Sequence, residues 1–272
     1  MKTLVIANQK GGVGKSTLTC LVAWFLAQRK NSRTAVIDLD SQGHSSRTLT
    51  ANACPVRSSH LFESAAVHAP SEFNKLVLYP ADKAVATVEQ RADIRTAAGQ
   101  AELRRCRDTF RANLHGLRED YDYCVIDTPP GPGIRMISAL AAADYVVAPI
   151  ELEDYSLAAM HETLQYIFGV AQKHGNPGLS VLGILCNRFT FNSTRQKELL
   201  QELRASEKYK QYLIPAHLST RAAIAKSTAD RIPVWELPQS SARDASAEVL
   251  KVCGYLHERM NPEHTVAEVS RG

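Results

Sequence analysis

Short apolar runs alternate along the chain with longer stretches in which apolar residues recur at helical spacing. The first run covers residues 3–7 and is followed by a glycine-rich turn, an amphipathic stretch at 15–30 and a second apolar run at 35–38. This order predicts strand, loop, helix and strand. It is therefore typical of a βαβ unit in a parallel sheet with a right-handed crossover.

The alternation continues to the C-terminal part of the chain. Further strands are predicted at 76–79, 123–127, 145–148 and 182–186, and helices at 101–118, 156–172 and 242–259. Because the apolar runs are uninterrupted, we expect strands buried on both faces, as in a doubly wound, mostly parallel α/β sheet flanked by helices. We expect one domain over residues 1–260 and a polar, frayed tail over 261–272. Residues 41–75 are polar and irregular, and the pattern assigns no elements to them.

Composition narrows the class of protein without identifying it. The chain has 272 residues, 44% of them hydrophobic, with 32 Lys and Arg against 28 Asp and Glu. These values exclude a disordered or collagen-like chain, and the net charge of +4 permits a polyanion partner without requiring one. The six cysteines form no CxxC pair, which favours reduced, buried thiols in a cytosolic protein. No apolar run reaches the roughly 20 residues of a membrane helix.

The segment with the most specific chemistry is Lys10-Gly-Gly-Val-Gly-Lys-Ser-Thr17, directly after the first predicted strand. Its glycines allow successive N–H groups to point at phosphate oxygens, and the next helix presents its positive N-terminus to the same anion. Lys15 would supply charge to the β- and γ-phosphates, and the Ser16 hydroxyl would ligate Mg²⁺. The candidate nucleotide-binding residues here are Gly11, Gly12, Val13, Gly14, Lys15, Ser16 and Thr17.

This motif resembles that of the deviant Walker A ATPases, the group that includes ParA and MinD, whose pattern is K-G-G-x-G-K-[ST]-T. Gln9 stands where the standard phosphate loop has its first glycine. In that group an additional lysine reaches the nucleotide of the partner subunit, and the resemblance assigns this role to Lys10. It also implies ATP and Mg²⁺ as cofactors and a homodimer that closes on ATP.

Three aspartates follow predicted strands in the order that this family shows. Residues 36–43 resemble the family segment D-x-D-P-Q-G, with Ser41 where proline is usual, and residues 123–131 resemble the Walker B strand and its turn. The resemblance implies that Asp40 orients the attacking water, that Asp38 supports the metal region and that Asp127 holds Mg²⁺ through water. Lys10, Lys15 and Asp40 are thus the candidate catalytic residues.

Asn187 and Arg188 follow the predicted strand that ends at Cys186. The family contacts the adenine base from this position. An amide suits that task because it offers a donor and an acceptor, although a turn-forming asparagine remains an alternative.

Arg195 and Arg221 are the candidate DNA-binding residues. Each follows Ser or Thr at a predicted helix start, and residues 193–196 resemble a capping box. The helix dipole disfavours a cation in the first turn unless an anion neutralises it, and the family uses arginines in these regions to bind DNA without sequence preference. A salt-bridged surface arginine is the alternative at each position.

Within the family, the chain most resembles the ParA-type DNA-partition ATPases, in the short form without an N-terminal helix-turn-helix domain. This implies nonspecific binding of double-stranded DNA, slow ATP hydrolysis stimulated by a ParB-like centromere-binding protein, and a cytoplasmic, nucleoid-associated location. A ParA-like ATPase that positions a conjugation or polar-localisation complex, or a MinD-like positioning ATPase, remains an alternative. The predicted helix at 242–259 mixes acidic and basic residues on its polar side, which favours packing in the core over binding to a membrane surface.

Overall fold

The apolar runs build one seven-stranded sheet in the computed structural model, which describes residues 1–63, 66–67, 74–91, 93, 95–153 and 156–262. Its strands are β1 (Lys2–Ile6), β2 (Thr34–Asp38), β3 (Leu76–Tyr79), β4 (Tyr123–Asp127), β5 (Tyr145–Glu151), β6 (Ser180–Phe189) and β7 (Leu213–Ser219). Their order across the sheet is β3-β2-β4-β1-β5-β6-β7, and all neighbouring pairs are parallel. The predicted doubly wound α/β fold is confirmed.

Helices connect the strands on both sides of the sheet. They are α1 (Lys15–Trp24), α2 (His44–Thr48), α3 (Lys83–Thr87), α4 (Ala97–Gly116), α5 (Ile134–Ala142), α6 (Ser156–Lys173), α7 (Thr194–Ala205), α8 (Ala222–Asp230) and α9 (Ala242–Met260). Helix α1 continues as a π-helical turn over Phe25–Arg29, and 3₁₀ turns occur at Thr50–Asn52, Ser58–Phe62, Val88–Arg91, Lys210–Tyr212 and Val234–Glu236. The predicted helices at 101–118, 156–172 and 242–259 correspond to α4, α6 and α9.

Two apolar cores cover the two faces of the sheet. Successive residues of a strand face opposite sides, so Val5 lies in the core that contains α4, α5 and α6, whereas Leu4 and Ile6 lie in the core that contains α1, α8 and α9. A strand covered on both faces has no solvated side to carry polar residues. This accounts for the uninterrupted apolar runs.

Helix α9 buries its apolar face against the second core, as the mixed charges on its polar side predicted. Val249, Val252, Cys253 and Leu256 are buried there, and Leu250 is partly exposed. Within the described ranges, none of the helices has the length and apolar character that crossing a membrane requires. All six cysteines are buried and free of disulfides.

The last described residues pack against the first strand. Lys2 donates from Nζ to the carbonyl oxygen of Met260 at 2.8 Å, and Asn261 is buried and donates to the hydroxyl of Tyr123 at 3.0 Å. Most of the predicted polar tail, residues 263–272, lies outside the described residues.

The carboxyl ends of the parallel strands meet at one edge of the sheet. The loop after β1 carries the phosphate-binding motif, and the loops after β2 and β4 begin at Asp38 and Asp127. These two aspartates are direct neighbours in the register of β2 and β4. Ligands of open α/β sheets bind at this edge, and the candidate site lies here.

Candidate active site

The loop between β1 and α1 depends on glycine at two positions. Gly12 has φ +80° and Gly14 has φ +86°, both in the left-handed region that side chains disfavour. Gly14 is also the N-cap of α1. Because glycine has no side chain to cap the helix, the first N–H groups of α1 are left for a bound anion.

Lys15 lies inside this loop, where the motif predicted it. Its Nζ donates to the carbonyl oxygen of Lys10 at 2.9 Å, and only 6% of the residue is exposed. Burial lowers the pKa of Lys15, while the charges of Asp127 and Asp40 act in the opposite direction. A buried lysine inside a glycine-rich loop at a helix start can donate to the phosphates of a nucleotide.

Two asparagines brace the phosphate loop from either side. Asn8 accepts a hydrogen bond from the backbone N–H of Lys10 and donates to the carbonyl oxygen of Pro149, each at 2.8 Å. Asn187 donates from Nδ2 to the carbonyl oxygen of Val13 at 2.8 Å. Asn8 belongs to no motif recognised in the sequence, and nothing in the sequence indicated this contact of Asn187 with the loop. Contact of Asn187 with adenine remains a prediction.

Asp38 and Asp127 are fully buried side by side. Burial raises the pKa of both carboxyls, and the charge of Asp38 raises that of Asp127 further. Oδ2 of Asp38 accepts hydrogen bonds from the backbone N–H of Ser46 at 2.8 Å and from its hydroxyl at 2.6 Å. Oδ2 of Asp127 accepts from the hydroxyl of Ser45. The two serines of α2 thus hold the two carboxylates, and sequence reasoning missed both.

The residues around Asp127 fit Mg²⁺. Among the described residues, Oδ1 of Asp127 is buried without a hydrogen-bond partner, and the Ser16 hydroxyl lies close enough to lower the pKa of this carboxyl. Mg²⁺ takes oxygen ligands, keeps several waters and is commonly bound by one or two carboxylates together with substrate phosphates. Ser16 and Asp127 would hold the ion. Both carboxylate oxygens of Asp38 already accept hydrogen bonds, from Asp40 and Ser46. A role for Asp38 at the metal therefore remains a prediction.

Asp40 faces a cleft of about 550 Å³ that contains the phosphate loop. It is 9% exposed, and its Oδ1 accepts a hydrogen bond from the backbone N–H of Gln42 at 3.0 Å. Arg188, which has φ +53°, also lines the cleft and donates to Glu151 at 2.9 Å. The lining further includes Gln42 and Pro130, which belong to the motifs at 36–43 and 123–131, and residues that no motif indicated, namely His44, Arg47, Thr48, Thr228, Ala229 and Arg231.

Lys10 extends away from the cleft and forms an ion pair with Glu153. The two side chains are 58% and 53% exposed, so both partners lie at the protein surface. The cation expected to act on a partner subunit is thus at the surface and paired within its own chain.

The two candidate DNA-binding arginines have different surroundings. Arg195 is the second residue of α7, its side chain is 61% exposed, and it lies 3.8 Å from Glu198. Ser193 accepts from the backbone N–H of Gln196 at 3.2 Å, which is one half of the predicted capping box, whereas the Gln196 side chain accepts from the N–H of Thr190 at 2.7 Å and not from that of Ser193. Arg221 is the N-cap of α8, and it pairs with Glu248 at 2.7 Å and with Asp244 at 3.5 Å. The alternative of a salt-bridged surface arginine therefore describes both residues in this structure, with the longer and more exposed contact at Arg195 and the shorter one at Arg221.

Several known proteins are similar in sequence to this chain. Residues 1–181 match the family model described as an AAA domain. The chain is 36% identical over 270 residues to the protein IncC of Escherichia coli, covering 96% of this chain and 70% of IncC. It is 27% identical over 256 residues to the sporulation initiation inhibitor protein Soj of Bacillus subtilis, covering 92% of this chain and 97% of Soj.

Solved structures share the fold at lower identity. McdA of Cyanothece in complex with ATP has a TM-score of 0.75 at 23% identity, covering 94% of this chain and 96% of that chain. A plasmid partition protein of Borrelia burgdorferi B31 bound to AMPPNP has a TM-score of 0.68 at 22% identity, covering 92% and 97%. MinD of Pyrococcus horikoshii with Mg-ADP has a TM-score of 0.64 at 19% identity, covering 96% and 97%.

Proposed function

Because the chain belongs to the ParA/MinD family of P-loop ATPases, we propose that it is a partition ATPase that binds ATP with Mg²⁺, dimerises on ATP and hydrolyses it slowly. The observation that carries this proposal is the convergence of Lys15, Asp40 and Asp127 on one glycine-rich loop at the carboxyl edge of the sheet. No single member of this set would indicate hydrolysis. Together they supply a phosphate cradle, a group that can orient water and a carboxylate for a metal.

The chemistry follows from the positions of these groups. Lys15 and the loop N–H groups would hold the phosphate oxygens and stabilise the charge that spreads over them during phosphoryl transfer. Asp40, at the rim of the same cleft, would accept a hydrogen bond from a water molecule and direct it at the γ-phosphate. Mg²⁺, held by Ser16 and Asp127, would neutralise part of the negative charge of the phosphates.

Dimerisation is proposed through Lys10. Its side chain is half exposed and points out of its own cleft, so it can reach a nucleotide held by a second subunit once it leaves Glu153. An exposed ion pair of this kind stabilises the fold by little, typically about 0–1 kcal/mol. Breaking it to form a phosphate contact therefore costs little free energy.

Binding of double-stranded DNA is proposed on the face that carries Arg195. This residue lies in the first turn of α7 with most of its side chain in solvent. A DNA phosphate at that position would be attracted both by the guanidinium of Arg195 and by the positive N-terminus of α7. We further propose that a ParB-like partner stimulates hydrolysis, and that the ATP-bound dimer is retained on the nucleoid until then.

Fluorescence anisotropy with two unrelated duplexes tests this function. We expect binding with ATP and Mg²⁺, loss of binding with ADP, and equal affinity for both sequences. Arg195→Ala should weaken binding. Arg105→Ala is the matched control, because Arg105 on α4 is also an exposed arginine that forms an ion pair with a glutamate three residues away, Glu102. Absence of ATP-dependent DNA binding at every salt concentration would contradict partition. If an ATP-dependent dimer still formed, a cargo other than DNA would become the better interpretation.

A further inference from the structure

Arg135 is a buried arginine to which no sequence motif assigns a role. It is the second residue of α5 and only 8% of it is exposed. Charged side chains are rarely buried unless every charge is paired and hydrogen-bonded. The partners of this guanidinium therefore indicate what it does.

One partner is the carboxylate of Glu89, which lies in the 3₁₀ turn Val88–Arg91. Nε of Arg135 donates to Oε1 of Glu89 at 2.9 Å. The same carboxylate accepts the backbone N–H groups of Ile134 at 2.7 Å and of Arg135 at 3.1 Å, so it caps α5. A Cβ at Gly133 would lie 2.3 Å from Oε2 of Glu89, so the carboxylate fits tightly against the loop before the helix.

The other partner lies in the loop that carries the proposed water-orienting group. Nη1 of Arg135 donates to the carbonyl oxygen of Leu39 at 2.7 Å. Leu39 is the residue between Asp38 and Asp40, and its own N–H donates to the carbonyl oxygen of Asp127 at 2.9 Å. Both backbone polar groups of the residue that joins the two aspartates are thus held, the carbonyl oxygen by Arg135 and the N–H by the end of β4.

We infer that Arg135, held by Glu89, is a positioning residue for Asp40. This inference rests on the proposed ATP hydrolysis. The guanidinium forms a rigid bridge from the start of α5, after the Asp127 loop, to the turn after β2, so the two loops that carry the carboxylates cannot move independently. Arg135 lies outside the residues that line the nucleotide cleft, and it acts through the backbone of Leu39.

The local hydrogen bonds explain why this backbone matters for Asp40. The N–H of Asp40 donates to Oδ1 of Asp38 at 3.0 Å, and Oδ1 of Asp40 accepts from the N–H of Gln42 at 3.0 Å. The first N–H belongs to the same peptide group as the Leu39 carbonyl that Arg135 holds, and the second bond depends on where that peptide group places the Asp40 side chain. A displacement of about 1 Å in a reacting group can lower the rate on the order of 100-fold, because catalysis requires near-attack geometry.

Arginine is required here because two partners on separate elements must be reached at once. The planar guanidinium donates through Nε to Glu89 and through Nη1 to Leu39. A lysine ammonium is a single point donor and would satisfy one partner and lose the other. These contacts cannot be recognised from sequence, because Glu89 lies 46 residues and Leu39 lies 96 residues from Arg135 along the chain.

Steady-state kinetics on Arg135→Lys and Glu89→Gln test the inference. We expect kcat to fall roughly 10- to 100-fold while KM and the ATP dissociation constant stay within about twofold, since the phosphate loop is untouched. Glu89→Gln keeps an acceptor for the helix cap and should have the milder effect. Arg135→Met, which loses both bonds, should be slower than Arg135→Lys.

The matched control is Arg111→Lys. Arg111 is also a partly buried arginine that donates to backbone carbonyls, and its bond to Ala141 at 2.6 Å lies at the opposite end of the same helix α5. This control should leave kcat unchanged. An equal loss of kcat in Arg111→Lys would show that general destabilisation of α5 is responsible and would overturn the positioning role.

Hydrogen exchange of the 38–43 segment gives a readout that needs no hydrolysis. We expect faster exchange of the Asp40 and Gln42 amides in Arg135→Lys than in wild type and Arg111→Lys, because the first amide belongs to the peptide group that Arg135 holds and the second bonds to the Asp40 side chain next to it. Unchanged exchange together with wild-type kcat would contradict the inference. If the wild type itself hydrolysed no ATP, the proposed function would fail while the exchange result still decided whether Arg135 fixes the Asp40 loop.

Discussion

The guanidinium of Arg221 lies against the carboxylate of Glu248, with 2.7 Å between Nη2 and Oε1 and 3.1 Å between Nε and Oε1. Glu248 also accepts the backbone N–H and the hydroxyl of Ser219, at 2.9 and 3.0 Å. One carboxylate of α9 therefore joins the end of β7 to the start of α8. The anion that a cation at a helix start requires is provided, at Arg221, by the protein itself.

The Arg221–Glu248 pair predicts a stability that depends on pH. Burial alone would raise the pKa of Glu248, but the hydrogen bonds from Arg221 and Ser219 outweigh burial and lower it. The folded pKa thus lies below the unfolded value of about 4.3, so the pair stabilises the fold above that pH and the contribution is lost as the pH falls through the folded pKa. We expect Glu248→Gln to melt below wild type at pH 7 and the difference to shrink under acid conditions.

Differential scanning calorimetry from pH 3 to 7 measures this difference. Glu198→Gln is the control, because Glu198 pairs with Arg195 on the surface of α7 with 60% of its side chain exposed, and such pairs contribute little. A difference between wild type and Glu248→Gln that stayed constant across the pH range would be inconsistent with the linkage.

Salt dependence of DNA binding distinguishes the two arginines. Each phosphate contact contributes about −0.9 to the slope of log affinity against log salt, so Arg195→Ala should lower its magnitude by about that amount per contact, equally for all sequences. Arg221→Ala should do the same only if its guanidinium exchanges Glu248 for a phosphate. In that case Glu248→Gln should strengthen binding. An unchanged slope in Arg195→Ala and Arg221→Ala would place the DNA face elsewhere.

Lys15 and Lys10 should separate nucleotide binding from dimerisation. Lys15→Ala removes the cation buried in the phosphate loop and should abolish ATP binding. Lys10→Ala leaves that loop intact and should bind ATP but dimerise poorly. Isothermal calorimetry and light scattering with ATP measure the two effects. Wild-type affinity in Lys15→Ala would refute the assignment of the loop.

Asp40→Asn tests the water-orienting role with little disturbance of the fold. The substitution removes the negative charge, while the amide oxygen of the new side chain can still accept the hydrogen bond from the N–H of Gln42. We expect retained ATP binding, an ATP-bound dimer that persists, and hydrolysis lowered by roughly 100-fold or more. Phosphate release and light scattering follow the two properties. Hydrolysis at the wild-type rate would exclude Asp40 from the reaction.

Gly14→Ala should destabilise the fold, whereas Gly11→Ala should be tolerated. A Cβ at Gly14 would lie 2.2 Å from Nδ2 of Asn187, and its φ of +86° costs a side chain roughly 1–2 kcal/mol. A Cβ at Gly11 meets its nearest neighbour, Pro130, at 3.8 Å. The strain alone should lower the melting temperature of Gly14→Ala by about 2–8 °C. Equal melting of the two variants would show that the loop relaxes without cost.

Strand bounds were predictable where the whole segment is apolar and covered on both faces. Residues 76–79 and 123–127 coincide with β3 and β4. Strand β7 was not predicted, because Pro215, His217 and Ser219 interrupt its apolar pattern. It is an edge strand, and the described part of the chain provides no strand on its outer side. Helix α5 was missed because its apolar residues merge in the sequence with those of β5.

The phosphate loop and its aspartates were predictable because their chemistry is encoded in short motifs. The groups that hold them were not. Ser45 and Ser46 belong to a region that the pattern left unassigned, and Arg135 reaches Leu39 only after the sheet has formed. Local sequence thus indicates which groups lie at the candidate site. The supports come from residues far apart in the chain, whose meeting depends on the fold.

The contact between Lys2 and Met260 has a practical consequence for following this protein in cells. It brings the beginning of β1 and the end of α9 together at the edge of the sheet opposite the phosphate loop. A fluorescent label joined through residue 1 therefore starts on the far side of the protein from the nucleotide. In the proposed dimer, whose subunits would meet over their nucleotides, such a label would report where the protein is without standing between them.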